Sequence, residues 1–433
     1  MTENGTRPTN CQKEIYMFIK RDKYLNDIIN RMHNGMIKVI TGIRRSGKSY
    51  LVFKIFNDYL KSEGVTEEHI IKIELDDRKN KKYRNPDVIL DYIESLITDD
   101  KDYYILLDEV QLLDDFEEVL NSLLHIANAD IYVTGSNSKF LSKDILTEFR
   151  GRGDEIHVFP LTFKEFMQVY EGDVYHGWAE YVLYGGLPLT VSMKTDEQKI
   201  AYLQNLFQET YIKDITDRYN IDKINELNDL INVLASAVGS LNNPSKIEAT
   251  FKSQLQSDIS VNTIKKYIEY IEDAFLVSEA NRYDVKGRKY IGTPLKYYFE
   301  DVGLRNARLG FRQVEETHLM ENVVFNELKA RGYQVDVGVV PIRRLTEDGK
   351  RERVQLEIDF IATLGSNKFY LQSAFSLPNE EKIKQEKASL LNVNDSFKKI
   401  IIVKDITKPQ RDENGIVTIN LYDFLLNENS LDF

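Results

Sequence analysis

The chain has 433 residues, of which 42% are hydrophobic and 29% are charged, so a disordered or collagen-like chain is excluded. Its 57 Lys and Arg against 69 Asp and Glu give a net charge of −12, which argues against a generic nucleic-acid coat but not against one local basic surface. The single cysteine, Cys11, excludes an intrachain disulfide and a Cys-based zinc cluster, and the six histidines show no metal-binding spacing. There is no signal pattern at the N-terminus and no apolar run long enough to cross a membrane, so we expect a cytoplasmic protein without membrane contact.

After a polar N-terminal tail, the first third of the chain alternates short apolar runs with amphipathic stretches. The predicted strands are Met36–Thr41, His69–Leu75, Tyr103–Leu107, Asp130–Ser136 and Glu155–Leu161. The predicted helices between them are Ser49–Leu60, Pro86–Leu96 and Asp114–Ala127. This alternation predicts an α/β fold, with a parallel sheet covered by helices on both faces.

The segment GIRRSGKS, Gly42–Ser49, satisfies the phosphate-loop pattern G-x-x-x-x-G-K-[ST] and lies between a predicted strand and a predicted helix. Gly42 and Gly47 let the backbone bend so that its N–H groups point at phosphate oxygens. Lys48 is expected to bridge the β- and γ-phosphates, and the Ser49 hydroxyl to ligate Mg²⁺. The alternative is a Gly-rich turn with no ligand. The predicted nucleotide-binding residues are Gly42, Ile43, Arg44, Arg45, Ser46, Gly47, Lys48, Ser49 and Tyr50.

Two acids follow the third predicted strand, in YYILLDEVQ. They lie at its carboxyl end, which is where ligands bind in open α/β sheets. Asp108 is expected to hold Mg²⁺, and Glu109 to act as the general base that activates the attacking water. The alternative is an ordinary strand end followed by a solvated acidic loop.

Polar residues after the fourth strand complete the predicted site. Ser136 and Asn137 are candidates to orient the water or touch the γ-phosphate, unless this is a plain polar turn. Arg150 and Arg152 are candidates to reach a γ-phosphate on a neighbouring subunit, which requires a ring or a dimer. The alternative for these arginines is a surface salt bridge with Asp154 or Glu155.

The motifs TGIRRSGKS, LLDEVQ, TGS-S, FPLTFKEF and YGGLP together resemble a family of prokaryotic AAA-type ATPases that have a C-terminal domain of unknown function. The resemblance implies a five-stranded core of the additional-strand-catalytic-glutamate class, in which Asp130–Ser136 is the strand inserted beside Tyr103–Leu107. It also implies ATP, rather than GTP, as the nucleotide.

Residues 226–295 read as three helices followed by a hairpin, which is the winged-helix arrangement. Ser260 is expected to cap a helix over Val261–Ala274, whose buried face is Ile264, Tyr267, Ile268 and Ile271. Residues 282–296 contain a single acidic residue, Asp284, and the basic residues Arg282, Lys286, Arg288, Lys289 and Lys296. The nucleic-acid candidates are Asn262, Lys265, Lys266, Lys286, Arg288 and Lys289. A winged helix used for protein packing is the alternative, because Glu269, Glu272 and Asp273 on the same helix repel phosphate.

The last part of the chain resembles a restriction-endonuclease-like fold, whose Mg²⁺ site needs acids on a helix and on two strands with a lysine beside them. Glu321 and Asp359 match the first two positions. The next strand carries Gln372, Ser373 and Ala374 where E-x-K is expected. Since Gln supplies no charge and the lysine is absent, we expect a degenerate domain without nuclease activity.

The predicted organisation is a tail and lead-in (1–20), a P-loop ATPase core (21–165), a helical lid or linker (166–225), a winged helix (226–295) and a nuclease-like α/β domain (296–433). The predicted function is Mg²⁺-dependent hydrolysis of ATP to ADP and phosphate, coupled to duplex DNA or a protein partner. The alternatives are a nucleotide-dependent switch or scaffold with little turnover, and a metal-dependent DNA nuclease.

Overall fold

The computed structural model describes residues 19–135, 151–255, 257–345, 351–405 and 408–432. Its N-terminal part is built on a five-stranded, all-parallel sheet of order β2-β3-β4-β1-β5. The strands are β1 (Ile37–Thr41), β2 (Ile70–Glu74), β3 (Tyr103–Asp108), β4 (Ala129–Thr134) and β5 (Gly153–His157). The predicted parallel α/β sheet is therefore confirmed, and β4 lies between β1 and β3.

Burial explains why these short segments form strands. All residues of β1 and β3 are buried, and both run as nearly continuous apolar sequences, as strands covered on two faces do. The helices of this part are α1 (Asp22–Ile29), α2 (Lys48–Tyr50), α3 (Asn57–Ser62), α4 (Pro86–Leu96) and α5 (Phe116–Leu123). A π-helical stretch, Leu51–Phe56, joins α2 to α3, and short 3₁₀ helices span Glu67–His69, Arg78–Arg84 and Val110–Leu112. Strand β1 is connected to α2 by the loop of residues 42–47.

The middle of the chain is helical. Its helices are α6 (Phe163–Met167), α7 (Val174–Tyr184), α8 (Pro188–Val191), α9 (Asp196–Leu206), α10 (Lys213–Tyr219), α11 (Ile224–Ser236), α12 (Pro244–Thr250) and α13 (Val261–Asp273), with π-helical turns at Phe207–Ile212 and Phe251–Leu255. The Ser260 hydroxyl caps α13 by accepting from the Thr263 N–H at 3.1 Å. The apolar face predicted for α13 is buried.

The C-terminal part is an eight-stranded sheet of order β12-β13-β11-β10-β9-β8-β6-β7. Its strands are β6 (Val277–Asp284), β7 (Lys289–Phe299), β8 (Gln334–Leu345), β9 (Arg351–Leu364), β10 (Asn367–Ala374), β11 (Lys398–Val403), β12 (Gln410–Arg411) and β13 (Ile416–Asn420). The associated helices are α14 (Val302–Arg308), α15 (Glu316–Ala330), α16 (Glu380–Leu391) and α17 (Leu421–Leu426).

The hairpin predicted as the wing, β6 and β7, belongs to this sheet. Strand β6 pairs with β7 on one side and, in parallel, with β8 on the other. The predicted domain boundary at 295/296 therefore falls inside β7. The hairpin is present as predicted, but it is held by a sheet rather than projecting from a helical unit.

A shared core joins the parts of the molecule. Trp178 of α7 and Phe163 of α6 pack in one apolar cluster with α15 and the large sheet, and Ile43 of the phosphate loop packs with the middle helices. Within the described ranges, the structure contains no helix of the length and apolarity required to traverse a bilayer.

Candidate functional site: a phosphate loop facing two acids

The backbone of the phosphate loop requires glycine at both ends. Gly42 and Gly47 have φ of 133° and 97°, in the left-handed region that side chains rarely adopt. A Cβ at Gly42 would lie 2.2 Å from the carbonyl oxygen of Val158, just after β5. The loop therefore passes close against the neighbouring strand before it enters α2.

Lys48 lies inside this loop. Its Nζ donates to the carbonyl oxygens of Gly42 at 2.9 Å and Ile43 at 3.0 Å, and only 4% of the residue is exposed. Burial lowers the pKa of the amine to about 8, although the nearby carboxylates of Glu109 and Asp108 act in the opposite direction. The amine is thus a cation held in a partly desolvated position by the carbonyls of its own loop.

Ser49 and Asp108 meet at the carboxyl edge of the sheet. The Ser49 hydroxyl donates to Asp108 Oδ1 at 2.9 Å, and the Thr134 hydroxyl at the end of β4 donates to the same oxygen. Burial raises the pKa of Asp108, and these two hydrogen bonds counteract the effect. Lys48, Ser49 and Asp108 therefore lie on one side of the molecule.

A hydroxyl beside a carboxylate is the hard-oxygen pair that Mg²⁺ prefers. Ser49 and Asp108 therefore suit the predicted metal. No cluster of three or more His, Cys, Asp and Glu side chains in the described segments is arranged as a metal site of its own. The pair fits a metal that takes its other ligands from phosphate and water.

Glu109 turns away from the strand immediately after Asp108. It has φ of 50°, its N–H donates to the Thr134 hydroxyl at 3.0 Å, and its carboxylate accepts from the Gln111 amide. Thr134 thus contacts both acids. Sequence reasoning missed Thr134 and Gln111, although a threonine at the end of the inserted strand was a readable signal.

The remaining predicted site residues are either outside the described structure or far from the phosphate loop. Ser136, Asn137 and Arg150 lie outside the described residues. The Arg152 carbonyl accepts from the Ile37 N–H at 2.8 Å, beside the beginning of β1 and at the sheet edge opposite the phosphate loop. The structure therefore does not bring Arg152 close to the phosphate loop of its own chain. Asp154, its predicted surface partner, pairs with Arg31 at 2.9 Å.

Contacts from other elements hold the loop in place. The Tyr211 hydroxyl donates to the Arg44 carbonyl at 2.7 Å, and the Arg44 guanidinium pairs with Asp214 at 3.0 Å. Arg45 and Tyr50 are more exposed than Arg44. Arg21 donates to the Ser46 carbonyl at 3.1 Å. The sequence placed residue 21 only at the start of the ATPase core and gave it no role.

A second contact joins the end of the P-loop strand to the large sheet. Thr41 Oγ1 lies 3.1 Å from His157 Nδ1, and His157 Nε2 lies 3.0 Å from Glu300 Oε1. Glu300 directly follows β7 and is buried. This series of polar contacts places the Glu300 carboxylate, from the C-terminal part, near the predicted nucleotide site.

The nucleic-acid candidates are exposed, but two other residues of the predicted basic wing are not. Asn262, Lys265 and Lys266 are exposed on α13, Lys286 and Arg288 are exposed in the turn between β6 and β7, and Lys289 is exposed at the start of β7. Arg282 and Lys296, which contributed to the basic count, are instead buried. Their cationic groups are used inside the fold, so the basic surface is smaller than the sequence suggested.

The structure brings Glu321 and Asp359 together around Lys296. The Lys296 ammonium lies 2.9 Å from Glu321, 2.8 Å from Glu357 and 3.9 Å from Asp359. Burial raises the pKa of Asp359 to about 8, and the charge of Glu321 adds to the shift. The carboxylates around Lys296 outweigh the effect of burial and raise the pKa of the amine.

The strand register assumed for the nuclease-like motif agrees with these contacts. The Ser373 N–H donates to Asp359 at 2.8 Å, and Gln372 accepts from the Asp359 N–H at 3.4 Å. Gln372 therefore stands beside Asp359 without adding charge. A lysine does enter the cluster, but it comes from β7 rather than from β10.

Sequence comparisons place the phosphate loop within a known type of domain. A family model described as an AAA domain matches residues 34–167, and a model described as a domain of unknown function matches residues 175–315. An uncharacterised protein of Haemophilus influenzae is 35% identical over 414 residues, covering 94% of this chain and 98% of that protein. An uncharacterised protein of Methanocaldococcus jannaschii is 28% identical over 386 residues, covering 85% of this chain and 81% of that protein.

Among solved structures, a Walker-type ATPase of Pyrococcus abyssi matches with a TM-score of 0.49 and 14% identity, over 67% of this chain and 96% of that one. The sequence identity to the Haemophilus influenzae protein extends over nearly the full length of both chains. The matched AAA domain contains the phosphate loop, Asp108 at the end of β3 and Glu109 directly after it. The chain belongs to the same family as the Haemophilus influenzae protein, a family of P-loop AAA-type ATPases with a domain of unknown function after the ATPase core.

Proposed function

We propose that the chain binds ATP with Mg²⁺ at Gly42–Ser49 and hydrolyses it to ADP and phosphate. The observation that carries this proposal is the hydrogen bond between Ser49 and Asp108, because it joins the phosphate loop to the acids of β3 at one edge of the sheet. Ser49 and Asp108 would hold the metal, which neutralises charge on the phosphate oxygens when bound.

Glu109 is the proposed general base. Its carboxylate lies one residue beyond Asp108 and is held by Gln111, so it is available to accept a proton from water at the same edge. Lys48 must exchange the carbonyl oxygens of Gly42 and Ile43 for phosphate oxygens, which are stronger acceptors because they are charged. The proposed roles of Ser136 and Asn137 are to orient the water, and those of Arg150 and Arg152 are to contact a phosphate on a neighbouring chain.

The nucleotide state is proposed to reach a DNA or protein partner through two contacts. Tyr211 connects the loop to the helical middle at Arg44, and His157 connects the end of β1 to Glu300 beside the large sheet. Loss of the γ-phosphate changes what the loop contacts, so it can change the packing of both elements.

This proposal is tested by measuring phosphate release when the purified chain is incubated with ATP and Mg²⁺, with and without duplex DNA. Lys48→Ala should reduce release to background, because the loop loses its cation. The matched control is Lys54→Ala on the same helical segment, since Lys54 pairs only with Asp58 on the surface among its described contacts. Full release by Lys48→Ala would contradict the assignment.

For the C-terminal domain we propose a nuclease-like fold without nuclease activity. Lys296 already neutralises part of the acidic cluster, and Gln372 supplies no charge for a metal. Incubation of plasmid DNA with the chain and Mg²⁺ or Mn²⁺ is expected to leave the plasmid intact. Cleavage that disappears in Asp359→Asn would assign nuclease activity to this cluster instead.

A further inference from the structure

The hairpin of β8 and β9 extends beyond its neighbours in the large sheet. The two strands stay paired as far as Leu345 opposite Arg351, whereas β6 accompanies β8 only as far as Val339. On the other side, β10 pairs with β9 no further than Phe360. Residues 341–345 and 351–355 therefore form a two-stranded ribbon, which among the described strands has no neighbour on either side.

Arginines are concentrated on one face of this ribbon. Arg343 is directly opposite Arg353, and Arg351 follows two residues away on the same face. On the other face, Arg344 is opposite Glu352, so the charges there balance. We call Arg343, Arg351 and Arg353 the arginine face, and all of them are exposed.

The arginine face is electrostatically unfavourable on its own. Like charges directly opposite each other across an antiparallel pair destabilise it. No hydrogen bond or ion pair to these guanidinium groups is found among the residues that the structure describes. An anion between Arg343 and Arg353 would relieve their repulsion.

The surface at this point is shaped to accept such an anion. Arg343 and Arg353, with Pro341 and Ile342, border a concavity of about 290 Å³. Lys286, from the turn after β6, donates its Nζ to the Pro341 carbonyl at 3.0 Å. The two hairpins are thus joined, and a further cation lies beside the concavity.

The face continues along β9 toward the carboxylates that surround Lys296. Gln355, which accepts from Arg282 at 3.2 Å, and then Glu357 and Asp359 follow at alternate positions of the same strand. The carboxylates repel phosphate, so an anionic partner is held at the ribbon and not at the cluster.

We propose that the arginine face binds the phosphodiester backbone of a nucleic-acid duplex. Arginine forks match phosphate oxygens in pairs, and such contacts hold a duplex without reading its sequence. Hot spots of protein interfaces are rich in large aromatic side chains, and the described residues that border the concavity include none, although Pro341 and Ile342 are apolar. This surface is where the partner of the proposed ATPase would bind. Only the link to ATP hydrolysis rests on the proposed function; binding of a duplex to the arginine face does not.

The test is binding of a fluorescent random-sequence DNA duplex and, separately, an RNA duplex to the full chain at several salt concentrations. No ATP is present, so a chain that fails to hydrolyse ATP still gives a result. Arg343→Glu with Arg353→Glu should weaken binding at least about tenfold and reduce the salt dependence by the equivalent of about two phosphate contacts. Arg343→Lys with Arg353→Lys should retain most of the binding, because the charges remain.

The matched control is Lys194→Glu with Lys246→Glu, which changes the net charge by the same amount at exposed positions away from the ribbon. This control should bind like the parent. Binding of either duplex that depends on the arginine face supports the inference. It is overturned if the parent binds neither duplex at low salt, or if the ribbon variant binds as tightly as the control.

Discussion

Thr134 is the residue on which both acids of the site depend. Its hydroxyl donates to Asp108, and it also accepts the Glu109 N–H at 3.0 Å. One hydroxyl therefore fixes the carboxylate proposed to hold Mg²⁺ and the backbone turn that places the general base. We treat Thr134 as a positioning residue, because it acts through Asp108 and Glu109.

Thr134→Val keeps the shape of the side chain but removes both hydrogen bonds. We expect kcat for ATP hydrolysis to fall about 10- to 100-fold, since a hydrogen bond to a charged group contributes about 1.5–3 kcal/mol. The KM for ATP should change little, because the phosphate loop is intact. Thr134→Ser is the control and should retain most of the activity, and equal losses in both variants would contradict this role.

The lowered pKa of Lys48 predicts a pH dependence of nucleotide binding. With a pKa of about 8 in the free chain, half of the Lys48 amines are neutral at pH 8, and the charges of bound ATP raise the pKa. Binding at pH 8 should therefore take up about half a proton, and the affinity should fall by up to about tenfold for each pH unit above 8. Calorimetry in buffers of different ionisation enthalpy measures this uptake, and proton release would contradict it.

The sequence predicted the site residues that belong to contiguous motifs. Gly42–Ser49 and the acids after β3 are recognisable because each motif is contiguous and its chemistry is local. Thr134, Gln111 and Arg21 were missed because their roles arise only when separate segments meet. Lys296 was assigned to a basic surface, since nothing in its neighbours reveals that three carboxylates surround it.

Strand β7 determines how the acidic cluster of the large sheet is neutralised. It carries Lys296, which is 3% exposed and lies within 4 Å of Glu321, Glu357 and Asp359. Breaking a buried ion pair costs more than the pair contributes, because the remaining charge has no partner.

Lys296→Met should lower the free energy of unfolding by about 3–5 kcal/mol. Adding Glu321→Gln to that variant should restore part of the loss, because one of the buried carboxylates is then neutral. Urea unfolding of the parent, the single variant and the double variant measures both effects. A Lys296→Met chain as stable as the parent would show that the cluster needs no cation.

Elements that have a local sequence pattern were predicted well. The parallel sheet follows from alternating apolar runs, and the β6–β7 hairpin follows from a short turn. The pairing of β6 with β8 joins residues such as Arg282 and Val337, and no local pattern reveals it. For the same reason the predicted boundary between winged helix and nuclease-like domain cut through a strand.

Across the whole molecule, the phosphate loop is connected to the helical middle through Tyr211. Its buried hydroxyl donates to the Arg44 carbonyl within the loop. A change in the loop on nucleotide binding should therefore alter the helical segment around Tyr211, residues 207–219.

Hydrogen exchange measures this coupling directly. ATP with Mg²⁺ should increase amide protection in residues 207–219 of the parent, because the loop that anchors them becomes ordered around phosphate. Tyr211→Phe removes only the hydroxyl and should reduce that increase while the phosphate loop itself is still protected. An unchanged response of residues 207–219 in Tyr211→Phe would place the coupling elsewhere.

Lys48, Ser49, Asp108 and Glu109 are proposed to act together as one ATP-hydrolysing site. The most direct measurement is single-turnover phosphate release, together with ATP affinity, for Glu109→Gln. We expect this variant to bind ATP as tightly as the parent and to release phosphate at least about 100-fold more slowly, because an amide cannot take the proton from water. Release at the parent rate would contradict it.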